Sequence, residues 1–151
     1  MDDAANLRSA GLRVTAARVA ILEAVRAGDH LDTERITRDV RARVGHVSTQ
    51  AVYDALRALT DAGLVRRIEP ASSPARYEAR VGDNHHHLAC RSCGAVVDVD
   101  CVVGAAPCLR PADRHGFVVD EAEVVFWGVC PACQARGEEP AARTAAPGEP
   151  S

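Results

Sequence analysis

Four cysteines in two C-x-x-C pairs constrain the fold of this 151-residue chain more than any other feature of its sequence. Cys90 and Cys93 form the first C-x-x-C motif, and Cys130 and Cys133 form the second. Each pair fits a tight turn, and two such turns can bring four sulfur atoms to about 2.3 Å from one Zn²⁺ ion. Buried free thiols and a redox dithiol are the alternatives, but a redox dithiol would use only one pair. We therefore predict a closed, structural four-cysteine zinc site.

The ends and the charge of the chain restrict where it acts and what it contacts. The sequence starts with an acidic, polar stretch and has no apolar run long enough to span a membrane, so we expect a cytoplasmic protein without a signal peptide. In that reducing compartment, paired cysteines favour metal over disulfides. Residues 1–80 carry 13 arginines against 11 acidic residues, whereas residues 81–151 carry 5 against 10. The first part is the better candidate for contacting phosphate, and the second for binding cations.

The first 79 residues have the pattern of several helices followed by a small hairpin. Thr15 is expected to cap a helix that ends at Gly28, a further helix is predicted over residues 33–44, and Ser48 is expected to cap a fourth. Two short strand-like stretches, 64–68 and 75–78, follow and are joined by a turn rich in proline and serine. This order predicts a winged helix-turn-helix domain over residues 1–79.

The fourth helix has an exposed stripe suited to reading DNA. Gln50 and Tyr53 offer hydrogen bonds to base edges and packing against a thymine methyl group, and Arg57 offers a phosphate contact. A recognition helix in the major groove requires such a stripe. The alternative is an ordinary amphipathic helix on a structural three-helix core.

The second half of the chain is predicted to be an α/β domain, so the fold class is α+β. Residues 80–84 are expected to form a hinge, because glycine and asparagine there suit turn conformations. The domain itself spans residues 85–134, with a short or irregular helix expected between residues 101 and 116. The tail lacks periodicity from Gln134 onward and is predicted to be disordered. The domain boundary places residues 135–151 in this tail. The expected strands cover 87–90, 95–99 and 122–129.

A run of three histidines precedes the first cysteine pair. In a strand, alternation places His85 and His87 on one face and His86 on the other, so His85 and His87 can hold one ion together. Asp98, on the expected pairing strand, could reach the same ion. The alternative is an ordinary solvated histidine cluster.

Several segments of the chain share a family pattern: residues 11–15, 50–56 with Leu59, 63–65, the histidine run at 85–87, and both cysteine pairs. Through these segments the chain resembles the ferric uptake regulator family of metal-dependent repressors across residues 7–134. Within that family the chain is most similar to the actinobacterial branch of peroxide-responsive, catalase-controlling repressors, on residues 82–87 and 99–108.

The resemblance implies which residues bind metal and DNA. It makes the four paired cysteines structural zinc ligands, and it adds Arg18 to the DNA contacts. It also implies a regulatory site that ties the two domains together and holds Fe(II) or Mn(II), with Zn(II) also compatible with these ligand types. The regulatory ligands would be His30, Glu78, His85, His87 and Asp98.

The resemblance further implies a homodimeric repressor that reads two half-sites of a palindromic operator. The C-terminal domains would pair through their sheets and bury Val124, Phe126 and Trp127. Because the last regulatory ligand is Asp98, as in the peroxide-sensing members, iron at that site would let peroxide oxidise His30 or His85 and release the metal. Glu78 instead matches the iron-sensing members, so an iron- or zinc-responsive uptake repressor is the alternative.

Further expectations concern what the chain lacks. We predict no enzymatic activity, no small-molecule substrate and no membrane partner, although a zinc hydrolase and a zinc-ribbon interaction module are alternatives from other classes. We predict no further metal site at His86, because the positions near Ala105 and Ala122 are apolar. Cys101 and Cys108 are interpreted as free buried thiols.

Overall fold

The computed structural model describes residues 2–70, 73–79, 81, 85–100, 111–119 and 123–140. Within these ranges, no helix has both the length and the apolar character needed to cross a membrane. The helices are α1 (Asp3–Ser9), α2 (Ala16–Ala27), α3 (Thr33–Val44), α4 (Thr49–Asp61) and α5 (Pro131–Ala135). The strands are β1 (Leu31–Asp32), β2 (Arg66–Ile68), β3 (Arg76–Glu78), β4 (His85–Cys90), β5 (Val96–Asp100) and β6 (Val125–Gly128).

Helices α2, α3 and α4 form the core of the N-terminal half. The Thr15 hydroxyl accepts the N–H of Arg18 at the start of α2, and the Ser48 hydroxyl accepts the N–H of Ala51 at the start of α4, as their positions before apolar helical runs predicted. The apolar faces of the helices then pack together and exclude water. The fully buried members of this core include Leu7, Ile21, Leu22, Ile36, Val40, Val52, Leu56 and Leu59.

A small antiparallel sheet of order β1-β3-β2 completes this half. Strands β2 and β3 are the predicted wing, and Tyr77 of β3 joins the helical core. Strand β1 was not predicted, because two residues are too short to show alternation. By pairing with β3, β1 places Leu31 opposite Tyr77. It thereby brings the segment after α2 next to the end of the wing.

The second sheet has the order β5-β4-β6. Central strand β4 pairs antiparallel with β5 and parallel with β6, so that His87 lies opposite Asp98 on one side and Val125 on the other. The α+β fold class is therefore confirmed. Because β4 contains both the histidine run and Cys90, a single strand supplies residues to both predicted metal sites.

Some element boundaries differ from the predictions. Strand β4 begins at His85 instead of residue 87, and β6 is shorter than the predicted stretch. Gln134 and Ala135 end helix α5 instead of starting a disordered tail, since Pro131 at the first helical turn favours a helix there. Residues 111–119 contain no helix, whereas residues 101–110, with Cys101 and Cys108, lie outside the described residues.

Candidate metal centres

The four paired cysteines converge at one end of the second sheet. Cys90 ends β4, Cys93 lies in the turn after it, and Cys130 and Cys133 lie at the start of α5 and inside it. The Sγ atoms are 3.8 Å apart between Cys90 and Cys133, and 3.6 Å apart between Cys93 and Cys130. A sulfur tetrahedron with arms of about 2.3 Å has edges of about 3.8 Å. These four thiols, which form no disulfides, therefore fit one tetrahedral ion.

Backbone groups shape this cluster and favour the thiolate form of Cys90, whereas burial raises the pKa of the Cys133 thiol to about 12. Gly94, at φ +74°, closes the first turn by donating its N–H to the Cys90 carbonyl at 3.0 Å. The N–H groups of Cys93 and Cys130 donate to the Cys90 sulfur and hold the pKa of its thiol below the usual range. Arg136 places a guanidinium nitrogen 2.8 Å from the Cys133 sulfur. Zinc binds thiolates, so these donors suit a zinc site.

A second cluster surrounds the carboxylate of Glu78, at the end of β3. His30 Nε2 lies 3.0 Å from Glu78 Oε2, His85 Nε2 lies 3.1 Å from Oε1, and His87 Nε2 lies 3.3 Å from Oε2. Each of these residues exposes 4% of its surface or less. One buried carboxylate therefore faces three imidazoles drawn from both halves of the chain.

Asp98 of β5 closes the other side of the same cluster. Its Oδ1 lies 2.7 Å from His30 Nε2, 3.4 Å from His87 Nε2 and 3.6 Å from His85 Nε2. The ligand atoms of His30, Glu78, His87 and Asp98 all lie within 4.8 Å of one another, and His85 contacts both carboxylates. The structure thus brings together all five residues that the resemblance implied, and we name them the His/Glu/Asp cluster.

Local backbone geometry explains how each half contributes. His30 adopts φ 50° in the short connection between α2 and β1, a left-handed conformation that histidine tolerates better than bulky residues. On β4, alternation turns His85 and His87 toward Glu78, while His86 packs edge-on against Phe126 with ring centroids 6.1 Å apart. The pairing of β4 with β5 brings Asp98 opposite His87. The alternation predicted for the histidine run is present.

Burial and charge oppose each other at this cluster. Burial tends to raise the pKa of Glu78, but hydrogen bonds from His30, His87 and His85 outweigh it and hold the pKa far below the usual range. Burial tends to lower the pKa of His30, but Glu78 and Asp98 together raise that pKa above its usual value. A group of carboxylates and imidazoles that shares protons when metal-free is also a donor set for Fe(II), Mn(II) or Zn(II).

Other polar atoms around the cluster either lack hydrogen-bond partners or lie near its ligands. Nδ1 of His30 and Nδ1 of His87 are buried and have no hydrogen-bond partner among the described residues. Glu123 Oε1 lies 3.9 Å from Nδ1 of His87, and the guanidinium of Arg66 lies 3.8 Å from Glu78 Oε1. Sequence reasoning missed Glu123, Arg66 and the Arg136 contact with Cys133, because no motif marks a residue that supports ligands from elsewhere in the chain.

The predicted DNA-contacting residues lie on the outer face of the N-terminal half. Gln50, Tyr53 and Arg57 are exposed on α4 and line an open cleft of about 870 Å³ between α4 and the wing. Gln50 is not free, since its amide donates to Asp54 Oδ1 at 2.9 Å. Arg18 lies apart from them on α2, where its guanidinium donates to the Arg13 carbonyl at 2.8 Å.

Comparisons with known proteins agree with this architecture. Residues 9–125 match the Ferric uptake regulator family. Transcriptional regulator FurA of Mycobacterium tuberculosis is 63% identical over 132 residues, covering 87% of this chain and 90% of FurA. Ferric uptake regulation protein 1 of Mycolicibacterium fortuitum is 59% identical over 127 residues, covering 84% and 79%. The crystal structure of the Vibrio cholerae ferric uptake regulator has the same fold, with a TM-score of 0.66 at 22% identity over 85% of this chain and 100% of that one.

Replacing Cys90 with serine should remove zinc and the folded C-terminal half together, because the ion ties the end of β4 to α5 and contributes directly to folding. Zinc content by atomic absorption and secondary structure by circular dichroism would be compared with Arg91→Gln, which alters the same turn but keeps all four sulfurs. A zinc-free Cys90→Ser protein with a native spectrum would argue against a structural zinc.

In protein that keeps its structural zinc but has no metal in the His/Glu/Asp cluster, His30 should make a pH-dependent contribution to the free energy of unfolding. A raised pKa in the folded state stabilises the fold fully below the usual histidine pKa of about 6.5, and this stabilisation is lost as the pH rises through the folded value. The difference in free energy of unfolding between the wild type and His30→Ala should therefore shrink as the pH rises. The exposed His46, replaced by alanine, is the control. A difference that grows with pH would contradict the assignment.

Proposed function

The chain belongs to the ferric uptake regulator family, and we propose a function for it on that basis. It is a metal-responsive transcriptional regulator, which agrees with the prediction that it is not an enzyme. More finely, we infer a homodimeric repressor that binds an operator when the His/Glu/Asp cluster holds Fe(II) or Mn(II). Zinc in the four-cysteine cluster would serve as a permanent structural ion.

One observation carries this proposal: the His/Glu/Asp cluster takes ligands from both halves of the chain. His30 and Glu78 belong to the half that contains α4, whereas His85, His87 and Asp98 belong to the second sheet. An ion bound by both groups fixes the orientation of one half relative to the other. Loss of that ion would leave hydrogen bonds to Glu78 as the link between the halves and loosen the DNA-binding half, so metal occupancy and operator affinity are coupled.

Dimerisation is supported by the exposed apolar surface of the second sheet. In the single chain, Leu88, Val97 and Phe126 expose 47%, 57% and 43% of their surfaces. Monomeric proteins rarely leave neighbouring large apolar side chains in contact with water. Pairing of two copies through this sheet would cover them and place two copies of α4 on a palindromic operator, one for each half-site.

The signal that we propose is peroxide, with control of catalase-type genes. Asp98 as the last regulatory ligand supports it, as does the similarity to the peroxide-responsive branch at residues 82–87. Iron held in the cluster would react with peroxide beside the rings of His30 and His85. Oxidation of either ring would remove a ligand, release the metal and relieve repression.

An iron-responsive uptake repressor is the second candidate. Glu78 favours it, and so does the relative of 59% identity that is named a ferric uptake regulation protein. In that case iron supply itself would determine occupancy, and no side chain would be oxidised. The two candidates differ in what happens after peroxide treatment.

Gel shifts with each metal, before and after peroxide, should separate these candidates. The DNA would be selected from random sequences by the Mn(II)-loaded protein. For a peroxide sensor, peroxide releases DNA from the Fe(II)-loaded protein but not from the Mn(II)- or Zn(II)-loaded protein, because only iron supplies the oxidation chemistry. Mass spectrometry should then find added oxygen on peptides containing His30 or His85, and none on the His115 peptide. DNA that stays bound after peroxide, with both histidines unmodified, would favour the uptake repressor.

Replacing His85 with alanine should abolish metal-dependent operator binding, because the ion loses a ligand from the second sheet. Zinc content and dimerisation should be retained, since no sulfur ligand changes. His115→Ala, which alters an exposed histidine, is the matched control. Unchanged metal dependence in His85→Ala would exclude the proposed cluster as the regulatory site.

A further inference from the structure

Arg76 joins the two metal centres through backbone carbonyls. It lies on β3, two residues before Glu78, and its guanidinium reaches out of the N-terminal half. Nη1 donates to the carbonyl of His30 at 3.3 Å, and Nη2 donates to the carbonyl of Gly94 at 2.9 Å. The first acceptor belongs to a residue of the His/Glu/Asp cluster and the second to the turn that carries Cys90 and Cys93.

Both acceptors lie where the backbone is in a left-handed conformation. His30 has φ 50° and Gly94 has φ +74°. A Cβ atom added at Gly94 would lie 3.3 Å from Nη2 of Arg76, which is closer than most such contacts. The glycine therefore serves both the turn and the close approach of the guanidinium.

The guanidinium occupies this position despite a cost in desolvation. Nε of Arg76 is buried and has no hydrogen-bond partner among the described residues. A buried donor without a partner is unfavourable, and among the described residues the two carbonyl bonds offset that cost. Arginine suits the task because its planar fork presents donors in two fixed directions, whereas a lysine ammonium is a single point.

We propose that Arg76 is a positioning residue that couples the four-cysteine cluster to the His/Glu/Asp cluster. It contacts neither set of ligand atoms and acts through the peptide groups of His30 and Gly94. A zinc-loaded turn holds the Gly94 carbonyl in place, which orients Arg76 and thus the backbone of His30. The inference rests on the proposed function, because it requires that the His/Glu/Asp cluster binds a regulatory metal.

Coupling of this kind is reciprocal. If the zinc-loaded turn helps to position His30 for metal, then metal at the His/Glu/Asp cluster must stabilise the zinc-loaded turn by the same factor. Removal of a residue that merely stabilises the fold would not weaken the link between the two occupancies, because both ions bind the folded state. Reciprocity therefore distinguishes a positioning role from a general structural one.

The test uses the full-length, zinc-loaded protein with Mn(II) as the probe. Isothermal titration calorimetry should show Mn(II) binding about tenfold weaker for Arg76→Gln than for the wild type, with zinc retained, because two charge-assisted hydrogen bonds are lost. Arg91→Gln is the matched control. Its guanidinium also lies beside the zinc turn but packs on Trp127, 5.0 Å from the ring centroid, and should leave Mn(II) affinity unchanged.

The reciprocal measurement is an equilibrium zinc competition with a zinc-selective chelator, with and without saturating Mn(II), because reciprocity holds for affinities and not for rates. Mn(II) should tighten zinc binding by the wild type and by Arg91→Gln several-fold, and should tighten it clearly less in Arg76→Gln, in which the shared strand β4 still links the clusters. An equal tightening of zinc binding by Mn(II) in Arg76→Gln and in the wild type would overturn the proposal, whatever the Mn(II) affinity of the variant. A wild-type zinc affinity that does not change with Mn(II) would also overturn it.

Arg76→Lys decides the outcome if Arg76→Gln fails to fold. Lysine keeps the charge but cannot hold both carbonyls, so Mn(II) binding should weaken by about threefold and the tightening of zinc binding by Mn(II) should diminish. Wild-type behaviour in this variant would overturn the proposal. Failure of the wild type to bind either Mn(II) or Fe(II) is a different result, because it would refute the proposed function itself.

Discussion

The buried carboxylate of Glu78 is the interaction on which the arrangement of the two halves depends. It lies at the last residue of the wing strand β3 and contacts imidazoles from the first half and from the second sheet. An ionised carboxylate at 4% exposure is costly unless hydrogen-bonded donors or a cation compensate. Histidines from both halves supply that compensation, so the placement of one side chain holds the halves together.

Strand β4 explains why two kinds of metal cluster lie so close together. Its alternation directs His85 and His87 to the His/Glu/Asp cluster, and its end delivers Cys90 to the thiol cluster. Thiolates in a closed tetrahedron favour a permanent ion, whereas imidazoles and carboxylates favour exchange with the surroundings. The same sheet can thus combine a stable framework with a site that responds to supply or to oxidant, as we propose.

Local sequence signals predicted much of the architecture. Thr15 and Ser48 marked two helix starts, because a side-chain oxygen before an apolar helical run satisfies free backbone N–H groups. The spacing of the two C-x-x-C pairs alone predicted that their four sulfur atoms form one cluster. Strand β1 and helix α5 were missed because such short elements depend on what they pack against instead of on their own periodicity. Likewise, no motif marked Arg76, whose two acceptors are 46 and 18 residues away.

By itself, the sequence determined which residue types were available and which face of a strand each would occupy. It predicted the thiol cluster from two C-x-x-C turns and the common face of His85 and His87 from the period of a strand. The pairing of the neighbouring strands β4 and β5 brings Asp98 opposite His87, as the sequence predicted. Only the tertiary structure decided that His30 and Glu78 meet those histidines, because pairing of β3 with β1 joins segments far apart in the chain. Local rules of spacing act over a few residues, whereas the register of pairing between distant strands is set by the packing of the whole fold.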